Sequence, residues 1–179
     1  MRVVAGSARG RRLVAPSGLD TRPTSDRARE AIFNALTSLG AIDNRLVLDL
    51  FAGSGALGIE ALSRGAAHAT FVDDDRRAVA AIRANLAACG LADRATVVQR
   101  DVPSYLAGEH HHHHDLALVD PPYAFDEWPR VLDGVPADIV VIESDRGIDP
   151  GPNWLVVREK RYGGTVVVIA RHARPSSEE

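Results

Sequence analysis

A chain of 179 residues, 45% hydrophobic and 25% charged, is long enough to enclose one substantial core and short for two. Its formal charge of −3 excludes a polycation that coats nucleic acid through net charge alone, so any nucleic-acid surface has to be local. The single cysteine, Cys89, excludes an intramolecular disulfide framework and a cysteine-based zinc cluster, and no apolar run approaches the roughly 20 residues of a membrane helix. With no leader-like segment at the start, the expected location is a reducing cytoplasm.

The first 23 residues are rich in Gly, Arg and Pro and read as a basic hairpin or arm, set apart from a main domain at 24–179. Positive charge concentrates here. Among the first thirty residues Arg2, Arg9, Arg11, Arg12, Arg22, Arg27 and Arg29 face only Asp20, Asp26 and Glu30, which is the footprint of a nucleic-acid contact or of a merely solvated arm. Thr24 and Ser25 are N-cap residues, and apolar side chains then recur at Ala28, Ala31, Ile32, Ala35, Leu36 and Leu39, which predicts a helix ending at Gly40. Leu46–Phe51 is an apolar run broken only by Asp49, as expected of a parallel strand buried on both faces.

Strand and helix patterns then alternate: helix Ala56–Arg64 stopped by Gly65, strand Ala69–Val72, helix Arg76–Cys89 stopped by Gly90, and strands at Ala95–Gln99, Leu116–Val119 and Ile139–Ile142. Trp154–Glu159 and Thr165–Ala170 flank a short Arg161-Tyr162-Gly163-Gly164 connection, which demands an antiparallel hairpin. The expected fold is α/β and Rossmann-like, a mostly parallel seven-stranded sheet closed by an antiparallel C-terminal hairpin. Five histidines at 110–114 could ligate a metal. Lacking spaced partners, they read instead as a solvated loop, native or engineered.

Two motifs carry chemistry. Asp49-Leu50-Phe51-Ala52-Gly53-Ser54-Gly55-Ala56-Leu57-Gly58 holds a full G-x-G-x-x-G directly after a strand and at the start of a helix. Such a loop lets backbone amides approach a nucleoside-like ligand, and an acid about 20 residues on can bind both ribose hydroxyls. Asp73 has that spacing, with Asp74 and Asp75 beside it as alternatives. Asp49 tilts the ligand toward S-adenosylmethionine, whose ammonium benefits from a nearby carboxylate where a pyrophosphate would be repelled. Asp101 either accepts from an adenine amino group or is an ordinary loop acid.

The second motif is Asp120-Pro121-Pro122-Tyr123 at the C-terminal end of the fourth strand, where open α/β sheets bind ligands. An exocyclic amine is a weak nucleophile because its lone pair is delocalised into the ring. Asp120 and a carbonyl of the rigid proline pair can accept its hydrogens and localise that lone pair, while Tyr123 stacks on the extruded base. The methyl passes by direct displacement, with no metal required. Guanine N2, adenine N6 and cytosine N4 all satisfy this chemistry.

The chain resembles the RsmD family of 16S ribosomal RNA guanine-N2 methyltransferases over nearly its whole length. The likeness rests on the opening R-V-V-A-G-x-x-x-G-R-R-L, on Arg22 to Asn34, on Asp49 to Gly58 with Glu60 to Ala66, and on Asp120 to Tyr123. The resemblance implies a class I S-adenosylmethionine-dependent fold and a cofactor site formed by Asp49, Phe51, Ala52, Gly53, Ser54, Gly55, Asp73 or Asp74, Asp101 and Thr24. It places the guanine at Asp120, Pro121, Pro122 and Tyr123, and the RNA on Arg2, Arg9, Arg11, Arg12, Arg22 and Arg27. The implied partner is 16S rRNA in an assembling small subunit. Competing readings keep the fold but methylate adenine in DNA or a protein glutamine, or keep only RNA binding. A nicotinamide dehydrogenase would leave Asp120 to Tyr123 unexplained and has little room for a substrate domain.

Overall fold

The periodicities of the sequence are realised in a computed structural model that describes residues 1–18, 25–108 and 112–173. Arg22, Thr24, His110 and His111 lie outside the described residues. Ser25 accepts the Ala28 N–H and so opens α1 (Asp26–Ser38), a cap worth about 1 kcal/mol. The elements that follow are β1 (Leu46–Leu50), α2 (Ala56–Ser63), β2 (His68–Asp73), α3 (Arg76–Cys89), β3 (Ala95–Gln99), α4 (Val102–Leu106), β4 (His114–Val119), α5 (Trp128–Gly134), β5 (Ala137–Ser144), β6 (Trp154–Tyr162) and β7 (Thr165–His172). Seven strands form one sheet in the order β3-β2-β1-β4-β5-β7-β6. The first five are parallel, and β7 runs antiparallel to both β5 and β6.

The order reverses between β1 and β4, which opens a crevice beyond their C-terminal ends, the place where such sheets bind ligands. Two cores flank the sheet. On one face Val47, Phe71, Leu118 and Val141 pack with Phe33 of α1, Ile59 of α2 and Ile82 of α3. On the other Leu48, Leu50, Val119 and Ile142 pack with Val102 of α4 and Val131 of α5. Strand alternation assigns successive residues to opposite faces, so every strand feeds both cores.

The helices α4 and α5 are additions to the sequence reading. They hold five and seven residues, too few to display a 3.6-residue period, and each carries a proline in its first turn. The histidine tract needs a correction. His114 is buried and begins β4, its N–H donating to the Pro136 carbonyl at 2.8 Å, while His113 Nε2 lies 2.8 Å from Asp138 Oδ1. The strand extends into the tract because β5 begins at Ala137 and supplies a paired neighbour for His114.

Residues 1–18 form a hairpin-like strap bridged at Arg2 and Arg12. Val3, Ala8 and Leu13 enter the same core as α1, α2 and α3. Three buried polar side chains hold the strap down. Glu60 accepts the N–H groups of Val4 and Ala5 at 2.8 and 3.0 Å, Ser63 accepts from Ala8, and Asn85 pairs with both backbone groups of Val14. Gly6 sits at φ +82°, and a Cβ there would lie 1.8 Å from the Ser63 carbonyl oxygen, so the strap crosses α2 at a point only glycine can pass. Arg29 is also structural: 1% exposed, it donates to the Arg2 carbonyl and to Asp26.

Candidate active site

The glycine loop begins where β1 ends. Phe51 takes φ +58°, a conformation rare for an aromatic residue and a mark of a backbone held against its preference. The turn is held by Ala52 N–H donating to Val72, Gly55 N–H donating to Ala52, and Gly53 N–H donating to Asp73 Oδ2 at 2.8 Å. Asp73 also accepts the Asp75 N–H through Oδ1, so its two oxygens tie the second strand to the loop. At Gly58 a Cβ would lie 2.3 Å from Phe71 Cε1, and its N–H donates to Asp49 Oδ2 at 2.9 Å. The third glycine of the motif therefore lets α2 approach the sheet.

Register explains how the acids gather. Asp49 pairs with Phe71 on β2 and with Leu118 on β4, and Leu118 pairs with Val141 on β5. Two residues beyond Phe71, Leu118 and Val141 stand Asp73, Asp120 and Glu143, which by alternation share the face of Asp49. Four carboxylates thus converge on one face at the C-terminal ends of four adjacent parallel strands. Burial holds Asp49 well above the usual carboxylate range, against the Gly58 N–H that lowers it, with Asp73 and Glu143 adding to the rise. Asp120 is likewise pushed well up, by burial first and then by the charges of Glu143 and Asp49. Burial also raises Asp73, against the N–H groups of Gly53 and Asp75.

A cavity of about 1180 Å³ opens over these strand ends. Phe51, Gly53, Asp73, Asp74, Asp101 and Asp120 to Tyr123 all lie in its wall, as do Asp75 and Arg27. Phe125, two residues beyond the second motif, links it to the first. Phe125 N–H donates to the Pro122 carbonyl at 2.8 Å, and the Phe125 ring packs edge-on against Phe51 with centroids 5.1 Å apart and against Trp128 at 5.2 Å. Tyr123 is 47% exposed at the rim.

Several expected residues sit elsewhere. Asp49 is 1% exposed and stands behind the wall, and Ala52, Ser54 and Gly55 are likewise outside it. Asp75 caps α3 and pairs with Arg77 at 2.7 Å, which lowers its carboxyl to about 2, so of the three consecutive acids Asp73 is the one bound to the glycine loop. Asp101 caps α4 by accepting the Ser104 N–H, which lowers its carboxyl. Arg2, Arg9, Arg11 and Arg12 are exposed on the strap, away from the wall. The wall also contains Glu143, Ser144 and the β6–β7 hairpin end from Lys160 to Thr165, none of which the sequence reading placed at the site. Glu143 carries no motif signal, being one acid at the end of an apolar strand. The Gly163-Gly164 turn is visible in sequence, but its position over the crevice is not.

A seven-stranded sheet in this order, with a glycine loop after β1 and Asp-Pro-Pro-Tyr after β4 meeting at one cavity, defines the Rossmann-like methyltransferase class. Residues 1–171 match the family described as Conserved hypothetical protein 95, and the chain belongs to this family, the RsmD family. It is 40% identical over 173 residues to the Ribosomal RNA small subunit methyltransferase D of Escherichia coli (strain K12), covering 91% of this chain and 85% of that protein. The protein of the same name from Haemophilus influenzae is 30% identical over 174 residues, covering 91% and 89%. A solved structure from Escherichia coli superposes with a TM-score of 0.84 at 36% identity, covering 97% of this chain and 99% of that one. A hypothetical protein of Thermus thermophilus gives 0.82 at 29% identity, with coverage of 96% and 99%.

Proposed function

We propose that this chain transfers a methyl group from S-adenosylmethionine to the exocyclic N2 of a guanine in 16S rRNA, met in an assembling small subunit in the cytoplasm. The observation that carries the reading is the meeting of the glycine loop and Asp120-Pro121-Pro122-Tyr123 at one cavity on the topological switch point. The relatives named for methylation of small-subunit ribosomal RNA supply the polymer, and the family resemblance supplies the base.

The residues present fit the cofactor. A wall containing Asp73, Asp74, Asp120 and Glu143 favours a cation and repels a pyrophosphate, and the volume accommodates a nucleoside together with an extruded base. When bound, the cofactor supplies an electrophilic methyl group on a sulfonium. Asp73, Asp101, Gly53 and Phe51 border the cavity; in this reading Asp73 would hold ribose hydroxyls, Asp101 would meet the adenine edge, and Gly53 with Phe51 would floor the site. Asp49 acts from behind the wall by fixing Gly58 and the start of α2. Asp120 accepts one amine hydrogen and then takes up the departing proton. A carbonyl of the proline pair accepts the other; the Pro122 carbonyl already takes the Phe125 N–H, and the Pro121 carbonyl is our choice. Arg27 at the cavity and Arg2, Arg9, Arg11 and Arg12 on the strap bind RNA phosphates. Arg22 and Thr24 are proposed from the family segment alone.

The test is transfer of labelled methyl from S-adenosylmethionine to small-subunit RNA and particles from a strain lacking the enzyme, with the modified nucleoside identified by mass. Label on guanine N2 is expected. Label on another base or on protein replaces the acceptor, and tight cofactor binding without any label replaces catalysis by binding.

A further inference from the structure

Asp-Pro-Pro-Tyr accounts for an exocyclic amine but not for which base carries it. A second acceptor beside Asp120 would supply that discrimination, and Glu143 stands there. Near the end of β5, one register step beyond the Val119 to Ile142 pair, it stands beside Asp120 on the neighbouring strand and on the same face. Adjacent strands lie about 4.8 Å apart, near enough for side chains on one face of both to reach a single base edge. Glu143 is 1% exposed and lies in the cavity wall.

The edge of guanine that bears N2 presents two kinds of donor side by side, the N2 amine and the ring N1–H. Adenine and cytosine present an amine beside a ring nitrogen that carries a lone pair. With Asp120 and the Pro121 carbonyl accepting the amine hydrogens, the ring position of the bound base falls toward the next strand, where Glu143 stands. We infer that Glu143 accepts the N1–H of the target guanine and thereby selects guanine over bases with a lone pair at that position. Two adjacent acceptors match a row of donors. Against adenine or cytosine one of them would face a lone pair in a place water does not reach, and a site built around a hydrogen bond rejects strongly an analogue that cannot make it. Arg27, Lys160 and Arg161 are the cations of the cavity wall, and Asp49, Asp73 and Asp120 the acids nearest Glu143 on that face. This inference rests on the proposed methylation of a guanine and names the residue that reads it.

The test compares guanosine with 2-aminopurine at the mapped target position of the same small-subunit RNA. Both carry the 2-amine, but 2-aminopurine has a lone pair at N1. The unmodified enzyme is expected to favour guanosine by about 100-fold in kcat/KM. Glu143→Gln has an amide that can accept from N1–H or donate to the lone pair, so at saturating cofactor it should narrow the preference to about 10-fold or less. Glu143→Asp should keep the preference at a lower rate. An unmodified enzyme that uses 2-aminopurine as fast as guanosine, or a Gln variant that keeps the full preference, overturns the inference. If the Gln variant does not fold, the first comparison and the Asp variant decide. Label on adenine or protein would defeat the functional reading and this inference together, whereas guanine N2 label with undiminished selectivity in the Gln variant would remove Glu143 alone.

Discussion

Replacing Asp120 by Asn should make the protein more stable and less active, and the first effect should depend on pH. Asp120 has Asp49 and Glu143 as its nearest acids, on the strands to either side. Two unit charges roughly 5 Å apart at an effective dielectric near 20 repel by about 3 kcal/mol, so full ionisation of all three is strongly opposed. Burial acts in the same direction, and the folded-state carboxyl of Asp120 is raised. A group raised in this way contributes stability that is fully present below its unfolded value, near 4, and is lost as pH rises through its folded value. The Asn variant escapes that loss. Its advantage over the unmodified protein should be near zero at pH 4 and grow to about 1–2 kcal/mol by pH 8, or roughly 3 to 6 °C in Tm. Thermal unfolding of the two proteins across that range measures the difference, so titrations common to both cancel. An Asn variant that is less stable than its parent at pH 8, or an advantage that does not change with pH, would refute the like-charge argument.

On the proposed mechanism the same carboxyl governs turnover. Asp120→Ala should leave cofactor affinity nearly intact and lower kcat by about 100-fold or more, and full activity in that variant would sink the proposed mechanism. In the unmodified enzyme kcat should fall on acidification along a limb lying above the usual carboxylate range, because Asp120 must be ionised to accept and is raised by burial, Glu143 and Asp49; a limb near pH 4 contradicts this. Gly58→Ala forces a methyl to 2.3 Å from Phe71 and should cost about 1–3 kcal/mol in denaturant unfolding, with an unchanged midpoint as the contrary result. Charge reversal at Arg9, Arg11 and Arg12 should weaken RNA binding and flatten its salt dependence, and an unaltered slope would take the strap out of the interface.

Much of this molecule can be read along the chain because each element states its own period. The run from Leu46 and the helix from Arg76 are visible because parallel strands buried on both faces are uniformly apolar and the helix ends at a left-handed Gly90. Boundaries are set by neighbours instead. β5 reaches Ala137 and Ser144, beyond its apolar centre at 139–142, because β4 and β7 offer partners there. On β6 seven of the residues after Trp154 are exposed, since it is an edge strand, so its length depends on β7 and not on any alternation of its own.

The site divides along the same line. A glycine loop and a proline-stiffened turn are local devices whose residue types betray them, whereas Glu143 and the hairpin end from Lys160 to Thr165 line the cavity only through strand order. Asp49 shows the converse. Its type and position invite direct contact with a cationic ligand, yet the Gly58 N–H claims it and the closing of α2 over Phe71 places it behind the wall. Its replacement by Ala, which removes the acceptor for the Gly58 N–H, tests which role dominates. Loss of the loop's anchor should shift thermal stability and cofactor affinity together, because Gly58 and the start of α2 depend on it, whereas a direct contact with the cofactor would lower affinity while leaving Tm alone.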